Sequence, residues 1–478
     1  MKKADKFNSL PTKRLLGFAL AAALIAVFTL AEPFSGLKAA VEDPEAAMAS
    51  IGIFLGAIVL FVCQVAPLAV SCLSLMMLLP YFDIMDLNTI YAQFGGTSFF
   101  FVLFCFGVTG ALSNTTIPVR ISAWITKISR GNAKILVFGF IFAANIISGF
   151  LSNFGTLIMF YGIIFMFLKS AGLQPGKSRL GKALMIGLPF ACGNGGFISP
   201  AGSPGNLIAQ SLLQQAGYDI SFLNWFLMAT PFSLAMCLMV CIALILWLKP
   251  EPLPLEAQQA VMLEKEKLGP MESREKKAII IVIATIILWF AGTWVPALNT
   301  TVVAACACFL MFMPGIDLMD WKFMVREADW NLLFMVGSVS ITMGCVNSTG
   351  AMTWIANTLF SGMSGMGIFL IMLIVGFIVC YLRVLIPTAP SVAAIFCPIM
   401  IGIAAAAAPQ STVAMAMIPV FWSGATITLV YTEPIYLYTY GSGYYTALDL
   451  FKVGLIPTLI MVVLVAAGFP AWFGLFGF

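Results

Sequence analysis

Between Asp329 and Asp449 the chain carries only two charged residues, Arg383 and Glu433. The sequence around them is apolar over lengths that span a bilayer, for which a helix needs about 20 residues. A charge at that depth costs roughly 2.5–3.5 kcal/mol even on the lenient insertion scale, so it faces a partner or a water-filled cavity and marks an ion or substrate path. Each lies beside a proline-bearing break: Pro387–Pro390 follows the arginine, and Pro434 follows the glutamate.

The rest of the composition agrees. Of 478 residues 61% are hydrophobic and 9% charged, against about 25% charged in soluble domains, so a soluble globular fold is excluded. The net charge of +4 is dispersed, which leaves nucleic-acid binding unsupported. The absence of histidine removes His-based acid–base catalysis, His metal ligation and Ser-His-Asp triads. The cysteines, among them Cys63, Cys105, Cys237, Cys306 and Cys397, are scattered through apolar segments; Cys306 and Cys308 form the closest pair, within a span. They read as small buried hydrophobes. Residues 1–31 join a basic start (Lys2, Lys3, Lys6, Lys13, Arg14) to an apolar stretch. Because many spans follow, an uncleaved first helix is expected rather than a secretory signal.

Apolar runs predict helices at about 14–31, 48–65, 67–82, 96–114, 133–168, 181–216 and 222–248, then 277–296, 299–314, 331–348, 365–407, 411–446 and 452–475. The runs 133–168 and 365–407 are too long for one helix, and 181–216 and 411–446 are broken by Gly and Pro. The stretch from Lys249 to Lys277, mixing Glu, Lys and Pro, reads as a solvated connector. Arg120, Lys127, Arg130, Lys134, Lys169, Lys177, Arg179 and Lys182 lie in a stretch without acids. By the positive-inside rule both ends of 133–168 then face the cytoplasm, as does the N-terminus. A segment that starts and ends on one side is best drawn as a re-entrant hairpin.

The halves 48–248 and 277–478 both read span, span, span, hairpin, broken span, span, in opposite orientations. That is the sequence pointer to an inverted-repeat transporter. The expected organisation is 1–132 first scaffold helices, 133–248 first transport half, 249–276 cytoplasmic connector, 277–364 second scaffold helices and 365–478 second transport half.

Polar, glycine-rich stretches carry the chemistry. The first hairpin contains Ser148-Gly149-Phe150-Leu151-Ser152-Asn153-Phe154-Gly155-Thr156, and the first break runs from Gly193 to Asn206 through Gly202-Ser203-Pro204-Gly205. Non-helical backbone inside a membrane must be buried in protein or line a cavity. Freed carbonyls with Ser and Asn oxygens suit a monovalent cation; N–H groups at half-helix starts suit an anion. The bland reading is a structural kink with packing glycines. No Gly-Lys-Ser/Thr follows the glycines, so this is no phosphate loop. The second half offers Pro387-Thr388-Ala389-Pro390-Ser391 at the hairpin tip, then Tyr431-Thr432-Glu433-Pro434 and Gly441-Ser442-Gly443.

These residues resemble the divalent anion/sodium symporter family, the dicarboxylate, citrate and sulfate carriers, over nearly the whole chain. Ser152-Asn153 is similar to the start of its Ser-Asn-Thr tip, Gly202-Ser203-Pro204-Gly205-Asn206 to its Gly-Thr-Pro-Pro-Asn break, and Glu433-Pro434 through Tyr444 to its second break and tail. Asp329-Trp330, Gly337 and Thr349-Gly350 resemble its scaffold stretch. The resemblance implies a homodimer whose transport domain slides past a fixed scaffold. It implies that Ser148, Ser152, Asn153 and Gly202 bound a first sodium site, and that Ser152, Asn153 and Ser203 touch substrate. Three places depart from the pattern: Phe154 stands for the Thr of the first tip, although Thr156 is nearby; Thr388-Ala389-Pro390 stands for the second Ser-Asn-Thr; and Glu433 for a threonine expected to bind a substrate carboxylate. A second sodium site is thereby put in question.

Four accounts of the two charges are open at this point. Arg383 pairs with Glu433 and replaces the missing cation, a role that suits a permanent planar charge; Glu433 takes up a proton and couples transport to it; Arg383 snorkels to a headgroup while Glu433 packs against another donor; or Glu433 holds a cationic or zwitterionic substrate. The expectation is an all-α polytopic inner-membrane protein of about 11 transmembrane helices, two re-entrant hairpins, an inverted-topology repeat and two broken helices. It is a secondary carrier of small organic anions, di- or tricarboxylates first, sodium- or proton-coupled or exchanging, with sodium as the one candidate ion and no other cofactor. The substrate site is placed at Ser152, Asn153, Thr156, Ser203, Pro204, Thr388, Ser391, Thr432, Glu433 and Pro434. A sulfate or zwitterion carrier, an integral membrane enzyme and a channel are the alternatives.

Overall fold

A computed structural model describes residues 11–478 apart from 64, 114, 352–353, 356–357, 359–365, 384–385 and 387. Lys2, Lys3, Lys6 and Pro387, and the expected boundary at 364/365, lie outside the described residues. Among the described residues every regular element is helical and there is no strand.

Most helices fall on the predicted runs, but Ser35–Lys38, Leu87–Phe94, Ile117–Ser129 and Trp321–Glu327 lie outside them. Pro11–Leu30 packs on Pro44–Cys63, Leu68–Tyr81 on Trp330–Ser348, and Thr97–Ser113 on Thr300–Phe312. Each of the last two pairs joins one helix from each half. Run 133–168 divides into α1 (Ala133–Ser148) and α2 (Asn153–Ser170), and run 181–216 into α3 (Arg179–Gly195) and α4 (Pro204–Gln215). After α5 (Phe222–Leu248), the second half contributes α6 (Ile368–Leu382), α7 (Ala389–Ala407), α8 (Thr412–Ala425), α9 (Pro434–Tyr440) and α10 (Ala447–Phe473). By length and apolarity α5 and α10 are each sufficient to cross a membrane, and a set of shorter apolar helices accompanies them.

Local chemistry sets the boundaries. Asn132, Ser152, Ser178 and Ser221 cap α1, α2, α3 and α5 by accepting a backbone N–H, each cap contributing about 1 kcal/mol. Thr446 and Asp449 form a reciprocal capping box on α10. Pro204 and Pro434 occupy the first position of α4 and α9, where the missing N–H has no intrahelical partner to lose.

The connector differs from expectation. Its middle is a helix, Leu255–Lys267, not a solvated loop. Good helix formers fill it, lysines sit at its negative end, and Val261 is buried. Around it a polar joint forms: Leu253 N–H donates to the Gly131 carbonyl at 3.0 Å, and Ser178 Oγ to Glu251 Oε1 at 2.6 Å. Burial works against the charged Glu251 carboxylate, but the Ser178 hydroxyl and nearby backbone N–H groups outweigh it and hold its pKa below the ordinary carboxylate range.

These contacts order the ends of the site-bearing helices. Tyr444 Oη donates to the Leu173 carbonyl at 2.8 Å, and Lys182 Nζ lies 2.8 Å from Asp449 Oδ2. The start of α3 therefore sits beside the segment that follows α9. At the opposite end, Tyr218 Oη donates to the Pro409 carbonyl at 3.2 Å, so the segment after α4 meets the start of α8. The two broken helices run antiparallel past each other. The start of α1 meets the connector through the Gly131 carbonyl, which accepts from Leu253 N–H, and α2 packs on the connector helix. At about 1.5 Å per residue, α1 is about 24 Å long and α2 about 27 Å, short of a hydrocarbon core of about 30 Å.

Candidate functional site

The bend between α1 and α2 leans on the break between α3 and α4. Ser199 Oγ donates to the Gly149 carbonyl at 2.5 Å. Asn206 Nδ2 donates to the carbonyls of Gly196 (2.7 Å) and Ser199 (2.6 Å), tying down backbone that leaves the helix. The carbonyls of Gly196, Gly149 and Ser148 lie 2.5, 2.8 and 3.0 Å from where a Cβ on Gly202 would sit. Only glycine lets these oxygens gather there.

Asn153 completes the cluster. Turned one way, its amide nitrogen donates to Gly202 O, Ser148 Oγ and Cys192 O, each at 3.0 Å. Turned the other way, its oxygen accepts from Ser148 Oγ at 3.0 Å and faces the carbonyl oxygens of Gly202 and Cys192. Ser148 Oγ also reaches Cys192 O at 2.6 Å. Hard oxygen donors from two backbone breaks and two side chains fit a monovalent cation.

The second half repeats the geometry with different chemistry. Ser203 and Glu433 hold equivalent positions: each is an extended residue (φ −142°, ψ 140° and φ −154°, ψ 143°) after a 3-10 turn and before the proline that opens a half-helix. Likewise Gly149 caps the end of α1 and Arg383 the end of α6, both in right-handed helical conformation. Arg383 Nη2 lies 3.7 Å from Glu433 Oε2, with side chains 1% and 8% exposed. That is an ion pair beyond hydrogen-bond distance. Arg383 Nε and Nη1 are buried and without a partner among the described residues, although such groups cost about 1–3 kcal/mol each when unsatisfied.

The halves touch at two glycines. A Cβ on Gly193 would meet Gly424 O at 2.6 Å and Glu433 Oε2 at 2.8 Å. Glu433 therefore lies against the first broken helix as well as beside Arg383. Around the crossing, Phe197 packs edge-on against Phe421 at 5.2 Å, and Trp422 is fully buried. Each bend also meets the opposite break: Ala389 O approaches Gly205, and Phe154 stacks edge-on against Tyr438 at 5.9 Å.

The predicted residues thus divide. Ser148, Asn153 and Gly202 converge, and so do Arg383 and Glu433. Ser152 lies beside Asn153 but accepts from Gly155 N–H as the cap of α2. Thr156 is fully buried, its hydroxyl without a partner among the described residues. Ser203 is buried and Pro204 follows it. Thr388 Oγ1 donates to Ser391 Oγ at 2.6 Å, and Thr432 Oγ1 turns back to Leu429 O at 2.7 Å. Pro434 is exposed. Arg383 is 1% exposed and lies beside Glu433. Ser199, Gly193, Gly424 and the buried Asn145–Asn194–Ser233 network were missed. The first two lie within the glycine-rich stretch, whereas nothing local marks Gly424 or Ser233.

Residues 16–477 match the model of the sodium:sulfate symporter transmembrane region. Among curated proteins, the chain is similar to the L-tartrate/succinate antiporter of Shigella dysenteriae serotype 1 (strain Sd197), 27% identical over 311 residues, 63% of this chain and 62% of that protein. It is also similar to the L-tartrate/succinate antiporter of Escherichia coli (strain K12), 26% identical over 310 residues with the same coverage. The match spans less than two thirds of these relatives' length. Among solved structures, the YdaH transporter of Alcanivorax borkumensis shares the fold at a TM-score of 0.53 and 12% identity, covering 83% of this chain and 90% of that one.

Proposed function

The chain belongs to the sodium:sulfate symporter family, and on that premise we propose that it is a secondary carrier that exchanges small dicarboxylates across the bacterial inner membrane. The carrying observation is the antiparallel crossing at Gly193 and Gly424, with both helix bends set against both breaks. Such a site, built from paired half-helices and unwound backbone, suits alternating access about a fixed centre. The α1–α2 and α6–α7 pairs act as re-entrant hairpins, the halves as inverted repeats among about 11 transmembrane helices, and the hairpins with the breaks as the domain that slides within a homodimer.

Substrate binds between the bends and the breaks, at Ser152, Asn153, Thr156, Ser203, Pro204, Thr388, Ser391, Thr432 and Pro434, beside Arg383 and Glu433. Ser148, Ser152, Asn153 and Gly202 hold one sodium ion. In the second half the Arg383 guanidinium supplies a fixed positive charge in place of a second ion. A carrier whose positive charge is partly built in has less need of ion coupling, and the names of the two antiporters favour exchange over symport.

Thermal stability of the purified protein tests this, because a ligand that binds only the folded state raises the melting temperature, the more so the higher its concentration relative to its Kd. Succinate and tartrate should each raise it by several degrees, more with sodium than with potassium. Stabilisation by sulfate and not by dicarboxylates contradicts the substrate assignment.

A further inference from the structure

Neither charge of the buried pair is fully satisfied by the other. Arg383 presents two buried N–H-bearing nitrogens without partners among the described residues, and its contact to Glu433 stops at 3.7 Å. Glu433 Oε2 also lies close to Gly193 of the first broken helix, so near that a Cβ there would meet it at 2.8 Å. The glutamate stands where the first half places Ser203, so a residue able to donate is replaced by one that, ionised, only accepts. An incoming molecule therefore meets a donor and an acceptor side by side.

Resting on the exchange of dicarboxylates above, we propose that Arg383 and Glu433 together select a dicarboxylate carrying a hydrogen-bond donor on the carbon beside one carboxylate. One substrate carboxylate takes the unpartnered N–H groups of Arg383. The neighbouring hydroxyl or ammonium donates to Glu433. A dicarboxylate without that donor satisfies Arg383 but sets an acceptor against Glu433, leaving two anions facing each other in a buried site. Discrimination by a buried polar group left unpaired is stronger than discrimination by size.

Calorimetric titration of the purified full chain with succinate, malate, tartrate and aspartate tests the assignment. Malate and tartrate should bind wild type at least about tenfold more tightly than succinate. In E433Q the like-charge contact is gone, so succinate should bind more tightly than to wild type and the preference should shrink to about threefold or less. Aspartate ranked above malate identifies an ammonium as the preferred donor, and ranked below it a hydroxyl. Equal binding of succinate and malate by wild type overturns the proposal. So does an E433Q protein that binds all four more weakly in unchanged ratio, the mark of a purely structural glutamate. If E433Q fails to fold, the wild-type ranking decides. Failure of all four ligands to bind, with sulfate binding instead, overturns the dicarboxylate reading itself.

Discussion

At Gly193 the two halves come closest, and a methyl group there has nowhere to go. It would meet the Gly424 carbonyl at 2.6 Å, a backbone atom in a buried helix, as well as the Glu433 carboxylate. Gly193→Ala should therefore destabilise the protein by roughly 1–3 kcal/mol, as overpacking does, measured by thermal unfolding; a melting temperature equal to wild type would mean the crossing is looser than described. At this scale the sequence was informative only for residues whose type is anomalous. Arg383 and Glu433 stood out because charges are rare in apolar spans, and they do meet. Gly424 did not, because a close approach 231 residues away in the chain leaves no local trace. The hydroxyls of Thr432 and Thr388 were legible as polar groups, but their local bonds to Leu429 and Ser391 were not.

Among elements, the bends and breaks were legible because their physics is local. A mostly apolar run of about 36 residues cannot be one ordinary span, and Pro at the first turn fixes where helices restart. The connector helix Leu255–Lys267 was not, since flanking prolines and a charged composition mimic a loop. What holds it is burial of Val261 and bonds to the segment before α1. The bend between α1 and α2 separates two roles. Asn153→Ala removes an oxygen from the clustered set and should raise the sodium concentration for half-maximal exchange by about tenfold, the scale of ~1.4 kcal/mol. Ser152→Ala removes the cap of α2 and should cost about 1 kcal/mol of stability. Exchange measured against sodium in proteoliposomes, with melting temperatures alongside, checks both. Unchanged sodium dependence in Asn153→Ala would remove the cation from this cluster.

For the whole molecule, basic residues flanking the α1–α2 run on both sides led to the expectation that its ends lie on one face; in the structure its start bonds to the connector through Gly131 and α2 packs on the connector helix. The antiparallel course of the broken helices follows from contacts at both of their ends, which no single segment encodes. A carrier and a channel built on such a fold differ in one observable: a carrier's site is reached from one side at a time. The most direct measurement is counterflow in proteoliposomes holding the purified protein. With unlabelled succinate or tartrate loaded inside and a trace of labelled substrate outside, the label should accumulate transiently above its external concentration, with uptake saturating as external substrate rises. Label that only equilibrates, at a rate linear in concentration and indifferent to what is loaded inside, would contradict the account.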